Sequence, residues 1–427
     1  MKTLIENATI VTMDKEKKII DQGYLVVADS LIQEVGEGSY RGDRSGLHVL
    51  NAKDRIVIPG LINAHTHSYA NIVKGTTENI PLEIWMLYIM AEGKCMSRDD
   101  HAVNAALGSI EMVKSGTTTF LDHLAQDLDG LATVAEQYKK VGIRALVTPM
   151  FGDRPYARSL PEELDLGGIG GQPHGPSPTS PGNWRQLIEM VEDVIKNLLQ
   201  PDQGIGVAVG PSGPQRCSDE LLIASMELAQ KYNLPWHTHL LETKAQEQTA
   251  YRLYGKSMVE HLHQLGILNS RVSFAHGVWV SRTEMELIRD HGATIVHNPA
   301  SNLLLGSGIL PIIPLKETGV KLALGTDGPN CSGYQSMFES MKLAAILSNT
   351  YTFDYTKWIT AADVLEMATR GSAYAVGMSD SIGSIEVGKK ADFVLLYKKT
   401  TNFVPLNNLV WQLVYGRADS AVESVFI

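Results

Sequence analysis

RVSFAHGVWVSRTEMELIRDHGATIVH, residues 271–297, carries the pattern that decides the fold. An apolar run ends at His276, a stretch with apolar residues at helical spacing (Met285, Leu287, Ile288) follows, and a second apolar run ends at His297. Strand, amphipathic helix, strand is the signature of a parallel sheet with helical crossovers. The unit repeats outward in both directions. Runs of the same kind are RIVIPGLINAH (55–65), TTTFLDH (117–123), IRALVTPMF (143–151), GIGVAVGP (204–211), LPWHTH (234–239) and VKLALGTD (320–327), which makes eight. Amphipathic segments such as DDHAVNAALGSIEMVKSG (99–116), NWRQLIEMVEDVIKNLL (183–199) and SDELLIASMELAQKYN (218–233) lie between them. So regular a count fits a closed (β/α)₈ TIM-like barrel better than an open sheet, and residues 58–380 are expected to form it.

The flanks are written differently. Residues 1–57 hold short strand-like runs, TLIENATIVTM, GYLVVAD, LIQEVGE and HVLNA, separated by Asp, Gly and Lys clusters. After the helical ITAADVLEMATRGSAYAVG (359–377), strand-like writing returns in GSIEVGKKADFVLLY and SAVESVFI. Residues 381–427 are therefore expected to complete residues 1–57 as one discontinuous β-sandwich domain, with a final hairpin expected beyond Ile427. The Gly- and Pro-rich stretch from Pro155 to Gly182 is too long for an ordinary connection and reads as a lid or a disordered insertion.

Composition narrows the function class. A hydrophobic fraction of 44% and charged fraction of 20% are those of a globular protein. No apolar run approaches the roughly eighteen residues of a membrane span, and the N-terminus lacks the basic and apolar segments of a secretory signal. The three cysteines, Cys95, Cys217 and Cys331, are too far apart for a zinc ribbon and odd in number, so a reducing cytoplasmic location is expected. A formal charge of -10 offers no footprint for a nucleic acid. The expected partner is a small molecule; a homo-oligomer is compatible with the sequence.

In a barrel of this kind chemistry sits where strands end. The first ends in His65-Thr66-His67, and spacing of two on an extended chain puts both imidazoles on one side as a chelating pair. The fifth ends in His237-Thr238-His239, with Glu242 just beyond; spacing alone cannot choose between these histidines. The last three end at His276, His297 and Asp327. Imidazoles with one carboxylate suit one divalent transition ion, zinc above all, with iron or manganese as alternatives, and suit calcium and magnesium poorly. Such a centre lowers the pKa of bound water toward about 7 if one position stays open. Histidine–carboxylate pairs also work as acid and base without metal.

The motifs PGLINAHTH, HLLET, AHGVW, HNPASN and GTDGPN, in this order and over nearly the whole chain, resemble the amidohydrolase superfamily. The likeness is to its branch of cytosine deaminase relatives, S-adenosylhomocysteine/methylthioadenosine deaminases and s-triazine chlorohydrolases. The resemblance implies that His65, His67 and His239 are metal ligands. It implies that Asp327 touches the metal and accepts a proton from the attacking water, and that His276 orients water or substrate. Glu242 would protonate a ring nitrogen and pass protons to the leaving group. The implied activity is hydrolytic deamination of an amino-substituted heteroaromatic ring. Dechlorination, amide or urea hydrolysis, and a non-catalytic metal-stabilised binding protein are the alternatives. His123, His237 and His297 are read as structural, and Cys331 lacks an identifiable activating base. The fourth strand has no Lys or Glu to bridge two metals, so one ion is expected.

Substrate-binding residues are expected at Trp85, Ser212 and Asn330. Trp85 reads equally as an aromatic wall for a flat ring or as a helix core residue. Three positions depart from the nucleoside deaminases of that branch: Ser212 replaces a His, Pro149 an Arg, and Gly93 or Lys94 a ribose-gripping Glu, with Glu92 out of register. These losses predict a ring without a sugar rather than an adenosine nucleoside.

Overall fold

The computed structural model of the chain describes residues 2–160 and 183–427. The chain opens with strands β1 (Thr3–Val11), β2 (Ile19–Ala28), β3 (Leu31–Glu37), β4 (His48–Asn51) and β5 (Arg55–Pro59). Next come β6 (Leu61–Thr66), β7 (Thr117–Leu124), β8 (Arg144–Phe151), β9 (Ile205–Val207), β10 (Gly210–Pro211), β11 (Trp236–Leu240), β12 (Val272–His276), β13 (Thr294–His297) and β14 (Lys321–Leu324). Last are β15 (Phe393–Tyr397) and β16 (Val422–Phe426). Of the Pro155–Gly182 stretch, Tyr156–Ser159 form a 3₁₀ turn, and the expected lid or insertion over residues 161–182 lies outside the described residues.

Strands β6 to β14 form two parallel sheets with helices between successive strands except β9 and β10, a TIM-barrel-like α/β arrangement. One sheet is β6-β7-β8 with β9 and β10 on β8, and the other is β11-β12-β13-β14. Val209 pairs in parallel with Trp236 between them. At the other seam the Thr326 and Asp327 amides donate to the His65 carbonyl at 3.2 and 3.0 Å, and the Asn63 amide group bonds Thr326 through both its backbone and hydroxyl. The helix inside residues 271–297 runs Arg282–Asp290. Ser281 and Glu284 start it as a reciprocal capping box, satisfying amides that the helix cannot bond itself.

Two of the eight apolar runs divide. RIVIPGLINAH is β5 and β6, because the chain passes from one sheet to another at Gly60, where a Cβ would collide with Thr118. GIGVAVGP is β9 and β10, because Val209 leaves β8 for Trp236. Strand β5 joins β1 and β15, and all seven terminal strands hydrogen-bond into one mixed sheet in the order β16-β15-β5-β1-β2-β3, with β4 on β1.

Strand periodicity lets this sheet share its burial. On β5, Ile56 and Ile58 enter the large core while Val57 enters a smaller one with Ile5, Ile10, Leu25 and Ile32. On β15, Val394 and Leu396 face the large core and Phe393 and Leu395 the small one. Side chains of a strand alternate, so a strand buried on both faces reads as a continuous apolar run. Arg144 of β8 donates to the carboxylate of Asp392 beside β15 and to Thr119 Oγ1 at 3.2 Å, pinning the two sheets through a buried ion pair. Asp392→Ala would leave that guanidinium buried without its counter-charge and is expected to lower the unfolding free energy by about 3 kcal/mol. Equilibrium urea denaturation reads this; a loss under about 1 kcal/mol would show that Thr119 and solvent suffice.

Candidate active site

The ends of β6, β11, β12 and β14 meet at one point. His65 lies in β6 and His67 one residue past it, on the same side of the extended chain, with ring centroids 4.8 Å apart. His65 Nε2 and His67 Nε2 stand 3.5 and 3.2 Å from Asp327 Oδ1. His239 Nε2 is 3.2 Å from His67 Nε2. His276 Nε2 lies 3.9 Å from Asp327 Oδ2 and 3.6 Å from Glu242 Oε2. The structure thus brings together all six residues that the sequence singled out for ligation and proton transfer.

Each ring is turned inward by a bond at its other nitrogen. His67 Nδ1–H donates to the His123 carbonyl, His239 Nδ1–H to the Ser212 carbonyl at 2.6 Å, and His276 Nδ1–H to Asn302 Oδ1 at 2.8 Å. His65 Nδ1 meets His237 Nε2 at 2.9 Å, and His237 Nδ1 meets Ser273 Oγ at 2.8 Å. Carbonyl and amide oxygens only accept, so the Nδ1 atoms of His67, His239 and His276 carry protons and their Nε2 lone pairs face the centre. Burial pushes His65 well below the ordinary histidine pKa and His239 down to about 3, which keeps the rings neutral as ligands must be.

His65 Nε2 is buried with no hydrogen-bond partner. Three neutral imidazoles and a carboxylate, one nitrogen orphaned at their meeting point, fit one divalent transition ion. Two overlapping groupings, His65/His276/Asp327 and His65/His123/His239, also place ligand atoms within 4.8 Å of one another. His123 thus stands closer to the centre than a purely structural reading implies. His237 is not free to ligate, because its inward nitrogen holds His65.

The two carboxylates are driven apart. Burial acts to raise the Asp327 pKa, but the close approach of the His65, His276 and His67 rings holds it well below the usual carboxylate range. Burial, reinforced by the charges of Asp327 and Glu83, pushes Glu242 well above that range. The backbone is strained here: Leu241, His276 and Asp327 have φ of 45°, 74° and 63°, in the left-handed region that costs side chains of this size about 1–3 kcal/mol each.

A cavity opens over these groups. Trp85, on the helix Leu82–Cys95, and Ser212 line it, as expected from the sequence. Asn330 does not; it is half-buried in the short helix Pro329–Ser332, its two amide atoms shielded from solvent and neither bonded. Cys331 beside it is likewise buried, its thiol pushed well above the ordinary range by burial, which leaves it a poor nucleophile. Counting on from Trp85 pointed to Glu92–Lys94, yet the carboxylate of that helix that reaches the cavity is Glu83, near its start. Gln215, Arg216 and Tyr156 also line the cavity and went unread. Nothing in local periodicity marked them, because they lie in turns after strands rather than at strand ends.

With this geometry in hand, comparison with known proteins gives a consistent result. The model of the amidohydrolase family matches residues 56–417. A 5-methylthioadenosine/S-adenosylhomocysteine deaminase of Thermoanaerobacter pseudethanolicus is 32% identical over 428 residues, covering 100% of this chain and 92% of that one. An adenosine deaminase from Xanthomonas campestris, solved with bound zinc, superposes with a TM-score of 0.87 at 28% identity over 100% of this chain and 91% of its own. Atrazine chlorohydrolase from Arthrobacter aurescens TC1, complexed with zinc, has a TM-score of 0.89 at 23% identity, covering 100% and 94%, which speaks to the fold alone.

The chain of bonds from Ser273 through His237 to His65 yields a test. His237→Phe fills the space but cannot accept from His65, and the dissociation constant for zinc is expected to rise about 10–100-fold. Competition with a chromophoric chelator measures it; unchanged affinity would show that packing alone orients His65.

Proposed function

The chain belongs to the amidohydrolase family, and from that premise we propose that it is a metal-dependent hydrolytic deaminase, replacing the amino group of a heteroaromatic ring by a carbonyl oxygen and releasing ammonia. The observation that carries this reading is the pair of carboxylates on either side of His276 at the cavity, Asp327 among the imidazoles of His65 and His67 and Glu242 3.6 Å from His276 Nε2. Environments that separate two such groups assign the acid and the base.

His65, His67, His239 and Asp327 hold one divalent ion, zinc by preference. When bound, that ion supplies the Lewis acidity that makes water nucleophilic near neutral pH. Asp327 takes one proton from the attacking water. Glu242 gives its proton to the ring nitrogen next to the reacting carbon, making that carbon electrophilic. As the carbonyl forms, Glu242 carries the second proton of the water from the new hydroxyl to the amine, which leaves as ammonia. The proton left on Asp327 then returns to Glu242. His276, fixed by Asn302, orients the water, and Trp85 walls the flat ring.

The amine must gain a proton to leave, whereas chloride does not. Deamination is favoured over dechlorination by the relatives that cover the whole chain at about 30% identity, which are named deaminases. The expectation of a sugarless ring counted polar groups missing at Ser212, Pro149 and Gly93 or Lys94; Glu83, Gln215 and Arg216 supply others, so free rings and adenine nucleosides both belong on the substrate panel. We further take the two parallel sheets as one closed (β/α)₈ barrel, expected over residues 58–380, with residues 1–57 and 381–427 as the discontinuous second domain; that domain's strands pair as one mixed sheet where a β-sandwich was expected, and β5 carries it on to Pro59. A cytoplasmic location remains part of this reading, and a homo-oligomer is compatible with it; among the described residues no helix is long and apolar enough to cross a membrane.

Metal analysis is expected to find close to one ion per chain, since no side chain of the fourth strand offers a bridge; two full ions in active protein would overturn this. Glu242→Gln is expected to keep the ion and the fold but lose at least ~100-fold in turnover, because an amide cannot shuttle the proton. Ammonia release across amino-pterins, purine bases, pyrimidines, triazines and adenine nucleosides reads it. Glu242→Gln activity within a few fold of the unmodified enzyme would remove Glu242 from the chemistry.

A further inference from the structure

The helix Arg98–Lys114 crosses between β6 and β7 and is apolar on both sides. Inward, Ala105 and Met112 enter the large core. Outward, Val103, Leu107 and Ile110 stand 50, 48 and 47% exposed, at the steps of four and three residues that line up along one helix face. Other helices between the strands show what a solvated face looks like. The helix Trp184–Leu198 exposes Arg185, Gln186, Glu189, Asp193 and Lys196, and the helix Arg282–Asp290 exposes Arg282, Thr283, Arg289 and Asp290. A helix that is hydrophobic all round is one with neighbours on both sides.

The outer row is self-complementary. Asp99 and Lys114, both exposed, close its two ends, and among the described residues neither stands in an ion pair; Arg98 beside Asp99 pairs with Asp129 at 3.1 Å instead. Asp99 and Lys114, Val103 and Ile110, and Ala106 and Leu107 are three pairs with one common midpoint. A second copy of the helix laid antiparallel across a two-fold axis at that midpoint meets each member of a pair with the other. Asp99 then faces the partner's Lys114, Val103 the partner's Ile110, and Ala106 the partner's Leu107. Aliphatic meets aliphatic, and each charge meets its opposite twice per pair of chains. The small Ala106 lets the helices approach closely where they cross, and antiparallel packing sets opposite ends of the two helix dipoles side by side. The dipole accounts for the signs of Asp99 and Lys114 within one chain, but not for the aliphatic row between them.

We infer that two copies of this chain pair through their Arg98–Lys114 helices, antiparallel across a two-fold axis between Ala106 and Leu107. Ile72, whose amide donates to Asn104 Oδ1 at 2.8 Å, is exposed beside the helix and widens the apolar patch on one flank. A helix of this length runs about 25 Å. With its flanks, one such contact buries on the order of 1,000 Å² in all, the low end for a specific interface, so the dimer is reversible with a dissociation constant of order micromolar. The inference is independent of the deaminase reading.

Sedimentation equilibrium of the full chain from about 1 to 200 µM tests it, the unmodified protein being expected to pass from monomer to dimer within that range. Leu107→Glu sets a carboxylate close to the axis in each copy and is expected to raise the dissociation constant at least ~30-fold, with the melting temperature unchanged because the position is on the surface. Asp99→Lys and Lys114→Asp each set like charges opposite one another twice and are each expected to raise it about tenfold, while the two together should return it to within about threefold of the unmodified value. The exposed aromatics Tyr351, Phe353 and Tyr355 offer a second apolar surface, and Phe353→Ser is the control that should leave the dimer unchanged. A chain that stays monomeric throughout overturns the inference, and this arm needs no variant to fold. So does a dimer that Leu107→Glu leaves intact or that Phe353→Ser dissolves. Failure of the combined charge exchange to rescue the two single changes overturns the two-fold pairing, and the inference with it.

Discussion

The structure depends on holding several buried imidazoles neutral, with their lone pairs turned toward one carboxylate. Left alone, such lone pairs are desolvated acceptors facing another acceptor, which is unfavourable. Everything around them answers that constraint. Backbone carbonyls of His123 and Ser212, the amide of Asn302 and the ring of His237 take up the outer nitrogens, so the rings can neither rotate away nor change tautomer. The cation that the donor set fits supplies the missing attraction, and the left-handed backbone at His276 and Asp327 is the strain accepted in aiming them.

How much of this was legible in the sequence follows from what sets each feature. Ligand placement was readable because alternation along an extended chain is rigid: His65 and His67 must share a side, and residues ending parallel strands must share a rim. The choice between His237 and His239 was not, since both satisfy the same alternation; only the neighbour of each ring separates them, Ser273 and His65 for one, Ser212 and His67 for the other. The division of RIVIPGLINAH was hidden for the opposite reason, because a strand buried on both faces looks like any other apolar run. Asn330, Glu83 and Arg216 depend on where turns and helix ends point, and no periodicity reports that.

The site is also built with a division of labour between rigid and adaptable parts. Ligands come from strands fixed by sheet hydrogen bonding, while the cavity walls come from the helix Leu82–Cys95, the turn at Pro214–Arg216 and residues after β8. Wall residues can change without disturbing the donor set, which accounts for one fold serving proteins named for adenosine, S-adenosylhomocysteine and atrazine chemistry among those similar to this chain. Specificity must then be argued from the walls, not from the metal-binding pattern.

The shared burial of β5 and β15 bears on how the chain is made. These two strands pair antiparallel with each other although more than three hundred residues separate them along the chain. Until β15 leaves the ribosome, β5 lacks this neighbour and the inner face that Val394 and Leu396 complete stays open beside Ile56 and Ile58. The parallel strands in between can be synthesised and begin to pair during that interval, but their core is still unsealed on that flank. A nascent chain stalled before residue 393 would present a greasy, half-built surface to chaperones and proteases, so the quality check on this protein falls late in its translation.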